Sequence, residues 1–210
     1  MQHKCPLCNN SAKLFYADKN RIHYQCSICF GIFADANSRP GQDVEKKHYQ
    51  QHNNDIDDKG YQKFVSPITN SVRRDFTANH KGLDFGAGTG PVISKVLTDH
   101  GFSIVPYDPY FHNYPDLLKE QYDYIASCEV IEHFYNPHKE FRLLKKMLKP
   151  QGKLYCMTHL YNESIDFANW YYKNDPTHVF IYQKETFEWI QKEFGFSDVC
   201  IKDRLITFSV

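Results

Sequence analysis

The chain has 210 residues, a length that suits one domain of ordinary size with a small appendage. Apolar residues make up 41% and charged residues 24%, enough for a buried core and too balanced for a disordered chain. The 25 basic and 25 acidic residues cancel, which argues against a chain held to nucleic acid by bulk positive charge. No apolar run predicts a transmembrane helix, and the first ten residues lack a secretory signal core. The seven cysteines fit a reduced, cytoplasmic compartment better than a disulfide scaffold.

Three segments of different texture divide the chain. Residues 1–36 carry paired cysteines and strand-like runs at 13–17 and 22–25. Residues 37–80 are polar and poor in aliphatic side chains. Over residues 81–210, strands and helices alternate at α/β spacing. We therefore expect three units, at 1–36, 37–80 and 81–210.

The middle segment predicts two or three short helices. One covers 43–51, and another begins with Ser66 as N-cap and runs towards Phe76. Tyr49, Tyr61 and Phe64 are aromatic anchors that a free linker does not need. These anchors favour a helical lid over the following domain, and a plain linker is the alternative.

The last segment predicts a doubly wound α/β sheet, because strands joined by helices give right-handed parallel crossovers. A turn is predicted at 149–152, and Gly195 closes the last helix. The final two strands lie too close for a parallel crossover, so they predict an antiparallel hairpin at the sheet edge. The predicted strands are 82–85, 102–107, 122–127, 153–158, 197–201 and 205–210, and the predicted helices are 91–100, 137–148 and 184–194.

Two Cys-x2-Cys pairs, Cys5 with Cys8 and Cys26 with Cys29, are separated by 17 residues. Each pair lets two thiolates reach one ion from a tight knuckle. Four thiolates around a tetrahedral ion leave no open position, which is typical of structural zinc in a ribbon-like segment. Four unligated buried thiols and an iron ion are the alternatives. The remaining cysteines are expected in the core: Cys128, Cys156 and Cys200.

The run LDFGAGTG at 83–90 predicts a strand that turns at alternating glycines into a helix. Glycines there permit torsions closed to other residues and let a ligand approach the main chain. Asp108 follows Gly86 by 22 residues, at the end of the next strand, where a carboxylate can accept both hydroxyls of a ribose. The two features predict a site for an adenosine-type ligand.

Two details favour S-adenosylmethionine over a dinucleotide. Pro91 stands where a dinucleotide fingerprint requires its third glycine. Asp84 precedes the turn and suits a cationic amino group better than a pyrophosphate. A nicotinamide oxidoreductase is the disfavoured alternative.

With YDP at 107–109, DYIASCEVIEHF at 123–134 and LKPQGKLY at 148–155, the glycine run resembles the class I S-adenosylmethionine-dependent methyltransferases over about residues 80–210. The nearest resemblance is to the E-V-I-E-H subgroup, which includes ubiquinone-biosynthesis O-methyltransferases and small-RNA 2′-O-methyltransferases. A four-Cys N-terminal segment also recurs in relatives such as sugar C-methyltransferases. Because the strand at 122–127 follows Asp108 so soon, we expect the family's usual third strand to be short or lost. The resemblance implies these cofactor-binding residues: Asp84, Gly86, Ala87, Gly88, Asp108, Pro109, Cys128 and Glu129.

The segment EVIEH at 129–133 carries two carboxylates and an imidazole, which suit Mg2+, Mn2+ or Zn2+. It predicts a candidate site for a second divalent ion at Glu129, Glu132 and His133, with His178 or His159 as a further ligand. In the alternative, Glu129 contacts the cofactor while Glu132 and His133 brace the following helix.

Residues 170–180 lie between the predicted strand at 153–158 and the last predicted helix, where this fold inserts substrate-contacting loops. His178 lies among aromatic residues and is a candidate general base for a hydroxyl or amine acceptor. His133 and Glu132 are the other catalytic candidates, and a His178 held only by local turn hydrogen bonds is the alternative. The acceptor is predicted to enter between the lid and the insertion at 159–180.

The predicted function is methyl transfer from S-adenosylmethionine to a small molecule, at oxygen or nitrogen rather than carbon, with no membrane partner. One alternative is an RNA methyltransferase that grips RNA with its ribbon, since residues 1–40 carry a small excess of basic side chains. Another is a non-catalytic module that binds S-adenosylmethionine or serves as a scaffold.

Overall fold

The computed structural model describes residues 3–51 and 55–210, so residues 1–2 of the Cys-rich segment and 52–54 of the middle segment lie outside it. No helix among the described residues has both the length and the apolar character needed to cross a membrane. The strands are β1 (His3–Lys4), β2 (Ser11–Ala17), β3 (Ile22–Cys26), β4 (Ile32–Ala34), β5 (Lys81–Phe85), β6 (Ser103–Tyr107), β7 (Tyr122–Cys128), β8 (Leu148–Met157), β9 (Phe180–Ile181), β10 (Asp198–Lys202) and β11 (Leu205–Ser209). The helices are α1 (Gln42–Gln50), α2 (Lys59–Phe64), α3 (Ser66–Asp75), α4 (Val92–Asp99), α5 (Pro137–Lys146) and α6 (Lys184–Phe194).

The larger sheet has the order β10-β11-β8-β7-β5-β6. Strands β5 to β8 are parallel, whereas β11 runs antiparallel to β8 and to β10. This arrangement confirms the predicted doubly wound sheet with an antiparallel C-terminal hairpin. Strand β6 lies at the edge, and the chain between β6 and β7 forms only an isolated bridge and a short 3-10 helix at Pro115–Lys119. The third strand of the family is therefore absent, as expected.

Alternating residues of the central strands bury opposite faces of this sheet. Ile125 and Leu154 contribute to the apolar cluster that includes Phe141 and Leu144 of α5. Tyr124 and Tyr155, one position along, pack with the buried residues of α3 and α4 on the other face. Both faces are covered, so the sheet carries nearly continuous apolar strands, as parallel sheets require.

The smaller sheet is antiparallel, in the order β1-β2-β3-β4-β9. Its first four strands come from the Cys-rich segment, but its edge strand β9 comes from the insertion after β8. Ile32 pairs with Ile181 and Phe33 with Phe180. The two short strands β4 and β9 were not predicted, and they join the Cys-rich segment to the larger unit.

Three local predictions were wrong. The predicted turn at 149–152 lies inside β8, where Gln151 has a φ of 65° and the pairing with β7 shifts register. The strand therefore continues, with a local irregularity, where the turn was predicted. Ser66 is the first residue of α3 rather than its N-cap, since Val65 holds that position without a side-chain hydrogen bond. Cys200 is exposed on the outward face of β10, whereas Cys156 is buried as expected.

Candidate active site

The glycine turn after β5 is held by hydrogen bonds to the neighbouring strand. The amides of Gly86 and Ala87 both donate to the carbonyl oxygen of Tyr107, at 2.8 and 3.1 Å. Gly86 has a φ of 81°, which an L side chain disfavours. A Cβ at Gly86 would also lie 2.4 Å from Cγ2 of Val130. Glycine is therefore required here both for the turn and for the close approach of the segment that follows β7.

Asp84 lies beneath this turn and is buried. Its Oδ2 accepts hydrogen bonds from the amide and hydroxyl of Ser94, at 3.1 and 2.9 Å, in the first turn of α4. Burial raises the pKa of Asp84 to about 6, and the nearby charge of Asp108 adds to the effect. The carboxylate thus braces the helix that follows the turn, and its contact with a ligand ammonium stays a prediction.

Asp108 follows β6 and ties three backbone amides together. Its Oδ2 accepts from Gly88 at 3.0 Å, and its Oδ1 accepts from Tyr110 and Phe111 at 2.8 and 3.1 Å. Each carboxylate oxygen has two lone pairs, so Oδ1 is fully used and one acceptor position remains, on Oδ2, for a ligand hydroxyl. The structure therefore brings Asp108, the predicted ribose-binding residue, against the glycine turn. Pro109 lies in the same loop as Asp108.

Glu129 follows β7 with a φ of 51°. Its Oε1 accepts from Nη2 of Arg204 at 2.7 Å, and the guanidinium of Arg204 lies 4.6 Å from the centre of the Phe64 ring. Burial raises the pKa of Glu129 to about 8, with the nearby Glu132 adding to the rise and Arg204 opposing it. Cys128, the last residue of β7, is partly exposed beside it rather than fully in the core.

A second cluster contains Glu132, His133 and His178, whose ligating atoms lie within 4.8 Å of one another. Glu132 is fully buried and accepts from the Tyr172 hydroxyl at 2.6 Å. Nδ1 of His178 lies 2.7 Å from the Tyr172 carbonyl oxygen, and Nδ1 of His133 lies 3.0 Å from the Thr177 carbonyl oxygen. These bonds assign the ring protons to Nδ1 and leave both Nε2 atoms as acceptors.

This donor set fits a divalent ion, because two neutral imidazoles and one carboxylate suit zinc, manganese or iron. A backbone carbonyl that fixes the opposite ring nitrogen is also the usual support of a metal-bound histidine. Of the residues predicted for this ion, Glu132 and His133 lie together with His178, which was named as a further ligand, whereas Glu129 is paired with Arg204. His159 contacts the Tyr171 hydroxyl at 3.0 Å.

A cavity of about 580 Å3 opens beside the cluster. Its walls come from His48 of α1, Phe64 of α2, the Glu129–Arg204 pair and residues 159–178. The cavity thus lies between the predicted lid and the predicted insertion.

Helix α1 contacts both the loop after β6 and the insertion after β8. Glu45 is buried and accepts from the hydroxyls of Tyr49 and Tyr110, at 2.8 and 3.0 Å. Tyr110 belongs to the loop that Asp108 organises. Further along the helix, Nε2 of His48 lies 3.2 Å from Oδ2 of Asp175 in the insertion. The contacts place α1 as a cover over the loop after β6 and over the cavity.

The sequence profile described as a methyltransferase domain matches residues 38–201. The chain belongs to this methyltransferase family. The predicted family is therefore confirmed, whereas the E-V-I-E-H subgroup stays a prediction. No curated protein matches this chain in sequence.

Solved structures share the fold of this chain at low sequence identity. An O-methyltransferase family protein from Burkholderia thailandensis is 11% identical with a TM-score of 0.54, over 79% of this chain and 61% of that one. CalO1, a methyltransferase in calicheamicin biosynthesis solved in its SAH-bound form, is 15% identical with a TM-score of 0.52, over 80% of this chain and 57% of that one. The chain thus spans about three fifths of the length of these structures.

The four paired cysteines of the chain meet at one point. Sγ of Cys5 lies 3.4 Å from that of Cys29, and Sγ of Cys8 lies 3.3 Å from that of Cys26. A disulfide would need a separation of about 2 Å, whereas thiolates around one zinc lie ~3.8 Å apart for a Zn–S bond of about 2.3 Å. The four sulfur atoms lie within 4.8 Å of one another, so the set fits a tetrahedral ion.

The two Cys-x2-Cys pairs have the same local backbone geometry. The amides of Cys5 and Cys26 donate to the carbonyls of Asn10 and Gly31, five residues on, at 2.9 and 3.0 Å. The residue after each second cysteine has a positive φ, at 58° and 59°. Equivalent geometry at both pairs supports a shared ion rather than four unrelated thiols.

Two residues of the candidate site were not found from the sequence. Arg204 lies in the turn between β10 and β11, 75 positions from its partner Glu129. Glu45 lies in a polar helix whose sequence marks no buried face, because its burial comes from tyrosines of distant loops. Neither residue belongs to a local motif, so only the tertiary structure identifies them.

Proposed function

We propose that this chain transfers a methyl group from S-adenosylmethionine to a small-molecule oxygen or nitrogen. The observation that carries the proposal is the cavity of about 580 Å3, which meets the end of β7 at Glu129 and is lined by His178. It is bounded by the lid and the insertion, and such concave sites suit a small acceptor. The formal net charge of zero supports the same class of acceptor.

In this proposal the glycine turn and Asp108 hold the donor. The remaining lone pair of Asp108, on Oδ2, accepts a ribose hydroxyl, and Asp84 supplies negative charge towards the amino end. When bound, S-adenosylmethionine supplies an electrophilic methyl group on a sulfonium. Helix α1 then excludes water, and the cavity aligns the acceptor, which are the main requirements of such a displacement.

His178 is the proposed base. Its Nδ1 donates to the Tyr172 carbonyl, so Nε2 is the atom that takes the acceptor proton. Burial lowers the pKa of His178, which keeps the ring neutral and ready to accept a proton at neutral pH. Oδ2 of Asp175 lies 3.8 Å from Nε2 and stabilises the imidazolium once it forms.

A second divalent ion at Glu132, His133 and His178 is the other candidate role for this cluster. There the ion would hold and polarise the acceptor hydroxyl. The metal content of purified protein separates the two roles. Glu132→Gln is expected to remove one ion per chain while the four-cysteine ion stays, whereas an unchanged metal count supports the base alone.

The test of the function uses S-adenosylmethionine labelled on its methyl group, with small-molecule and RNA fractions of a cell extract as separate acceptors. We expect label in the small-molecule fraction and a rate at least ~100-fold lower for His178→Gln. The matched control is His100→Gln, an exposed histidine at the end of α4. Label only in the RNA fraction, or none in either fraction despite donor binding, would contradict the proposal.

A further inference from the structure

Arg21 lies in the turn between β2 and β3, far in sequence from the residues that line the cavity. Oδ1 of Asp18 accepts from the amides of Asn20 and Arg21, at 2.8 and 2.9 Å, and so fixes the backbone of this turn. The side chain of Arg21 is therefore projected from a rigid position in the Cys-rich sheet.

The guanidinium of Arg21 binds four backbone carbonyls of one loop. Nη1 donates to Lys173 and Asp175, at 3.0 and 2.6 Å. Nη2 donates to Pro176 and His178, at 3.4 and 3.0 Å. Carbonyls of an irregular loop that are partly shielded from water need donors from elsewhere, and one planar guanidinium supplies them in a fixed geometry.

The same loop forms one wall of the cavity. Asn174, Asp175, Pro176 and His178 all line it. The hydrogen bond from His178 to Tyr172 closes a turn of this loop, so the direction of the imidazole depends on the loop backbone. Arg21 does not line the cavity, and its effect on His178 passes through the carbonyls that it binds.

The Cys-rich sheet holds the end of this loop by a second route. The amide of Ala34 in β4 donates to the Val179 carbonyl at 3.0 Å, and the Val179 amide donates to the Glu132 carbonyl at 2.9 Å. Residue 179 is thus a backbone link between the Cys-rich sheet and the Glu132 segment. Beyond it, β4 and β9 pair directly.

We infer that Arg21 is a positioning residue for the acceptor site, and that the four-cysteine unit serves as the scaffold that aims His178. This role rests on the proposed function for its catalytic meaning, but the loop geometry itself can be measured without an acceptor. A purely stabilising role for Arg21 would change the stability of the fold and leave the His178 environment unchanged below the unfolding temperature.

The experiment compares the zinc-loaded full chain with Arg21→Lys, which keeps the charge but loses the planar fork, and with Arg21→Met. The first readout is trypsin cleavage after Lys173, which is only 4% exposed. The second is the ring nitrogen spectrum of His178, assigned with His178→Gln, which reports its tautomer. The matched control is Arg73→Lys, an exposed arginine of α3.

We expect both Arg21 variants to retain zinc and to bind S-adenosylhomocysteine within about twofold of the wild type. Cleavage after Lys173 should become at least roughly tenfold faster, and His178 should change from one Nδ1-protonated form to a mixture. If Arg21→Met does not fold, Arg21→Lys decides. Unchanged cleavage and an unchanged His178 spectrum would overturn the inference, as would combined loss of zinc and S-adenosylhomocysteine binding. Wild-type protein that fails to bind S-adenosylhomocysteine would contradict the proposed function but not the positioning of the loop.

Discussion

Gly86→Ala is the substitution whose cost the structure defines most closely. Gly86 has a φ of 81°, and forcing an L residue into this region costs about 1–2 kcal/mol. The added Cβ would also lie 2.4 Å from Cγ2 of Val130, and overpacking of this kind costs about 1–3 kcal/mol. We therefore expect Gly86→Ala to lower the free energy of unfolding by about 2–5 kcal/mol.

Gly101→Ala is the matched control. Gly101 has the same φ of 81°, but a Cβ there would meet nothing within 4 Å. Gly101→Ala should lower the free energy of unfolding only by the backbone strain, about 1–2 kcal/mol. Urea unfolding measures both variants, and calorimetry should show weaker S-adenosylhomocysteine binding for Gly86→Ala alone.

The contact with Val130 is tested by the double variant Gly86→Ala, Val130→Ala. Removing the valine methyl groups should relieve part of the clash. The double variant should therefore be more stable than the sum of the two single losses predicts, by a coupling free energy of about 1–3 kcal/mol. Equal losses for Gly86→Ala and Gly101→Ala, or zero coupling with Val130→Ala, would refute the reasoning.

Two further predictions concern the Cys-rich sheet. His23 is 1% exposed, and burial lowers its pKa from 6.5 to about 4, so its contribution to stability is complete above pH 6.5 and is lost as the pH falls towards 4. The loss in the free energy of unfolding should reach about 3 kcal/mol. His23→Phe should remove this part of the pH dependence of stability, as measured by urea unfolding at a series of pH values. An unchanged pH dependence would contradict the assignment to His23. Cys26→Ser should release the zinc and lower the unfolding temperature, whereas Cys200→Ser should keep one zinc per chain, as measured by metal analysis and thermal scans; full zinc retention in Cys26→Ser would contradict a four-cysteine site.

The long periodic elements could be predicted from sequence because each carries its own signal. The helix predicted at 184–194 matches α6, and Gly195 ends it with a φ of 68°. The loss of the third strand followed from the short distance between Asp108 and β7. Exposure of Cys200 was missed although alternation along β10 could have indicated it, since its neighbours Val199 and Ile201 are the less exposed residues.

The contacts that complete the candidate site could not be predicted in the same way. Strands β4 and β9 are three and two residues long and lie about 150 positions apart, so neither has a readable pattern. The pairing of Glu129 with Arg204 was not predicted, because Arg204 arrives from the C-terminal hairpin, 75 positions away. Folding brings His178 to Glu132 and His133 through β9, and no spacing in the sequence shows this.

The most direct measurement of the central claim is calorimetric titration of zinc-loaded protein with S-adenosylhomocysteine. We expect a single site in the wild type and an affinity roughly 10- to 100-fold lower in Asp108→Ala, from the loss of a hydrogen bond between a charged group and the ribose. Asp116→Ala, whose side chain is 89% exposed in the same connection, is the control and should bind like the wild type. No heat with the wild type, or equal affinity in a folded Asp108→Ala, would contradict the account.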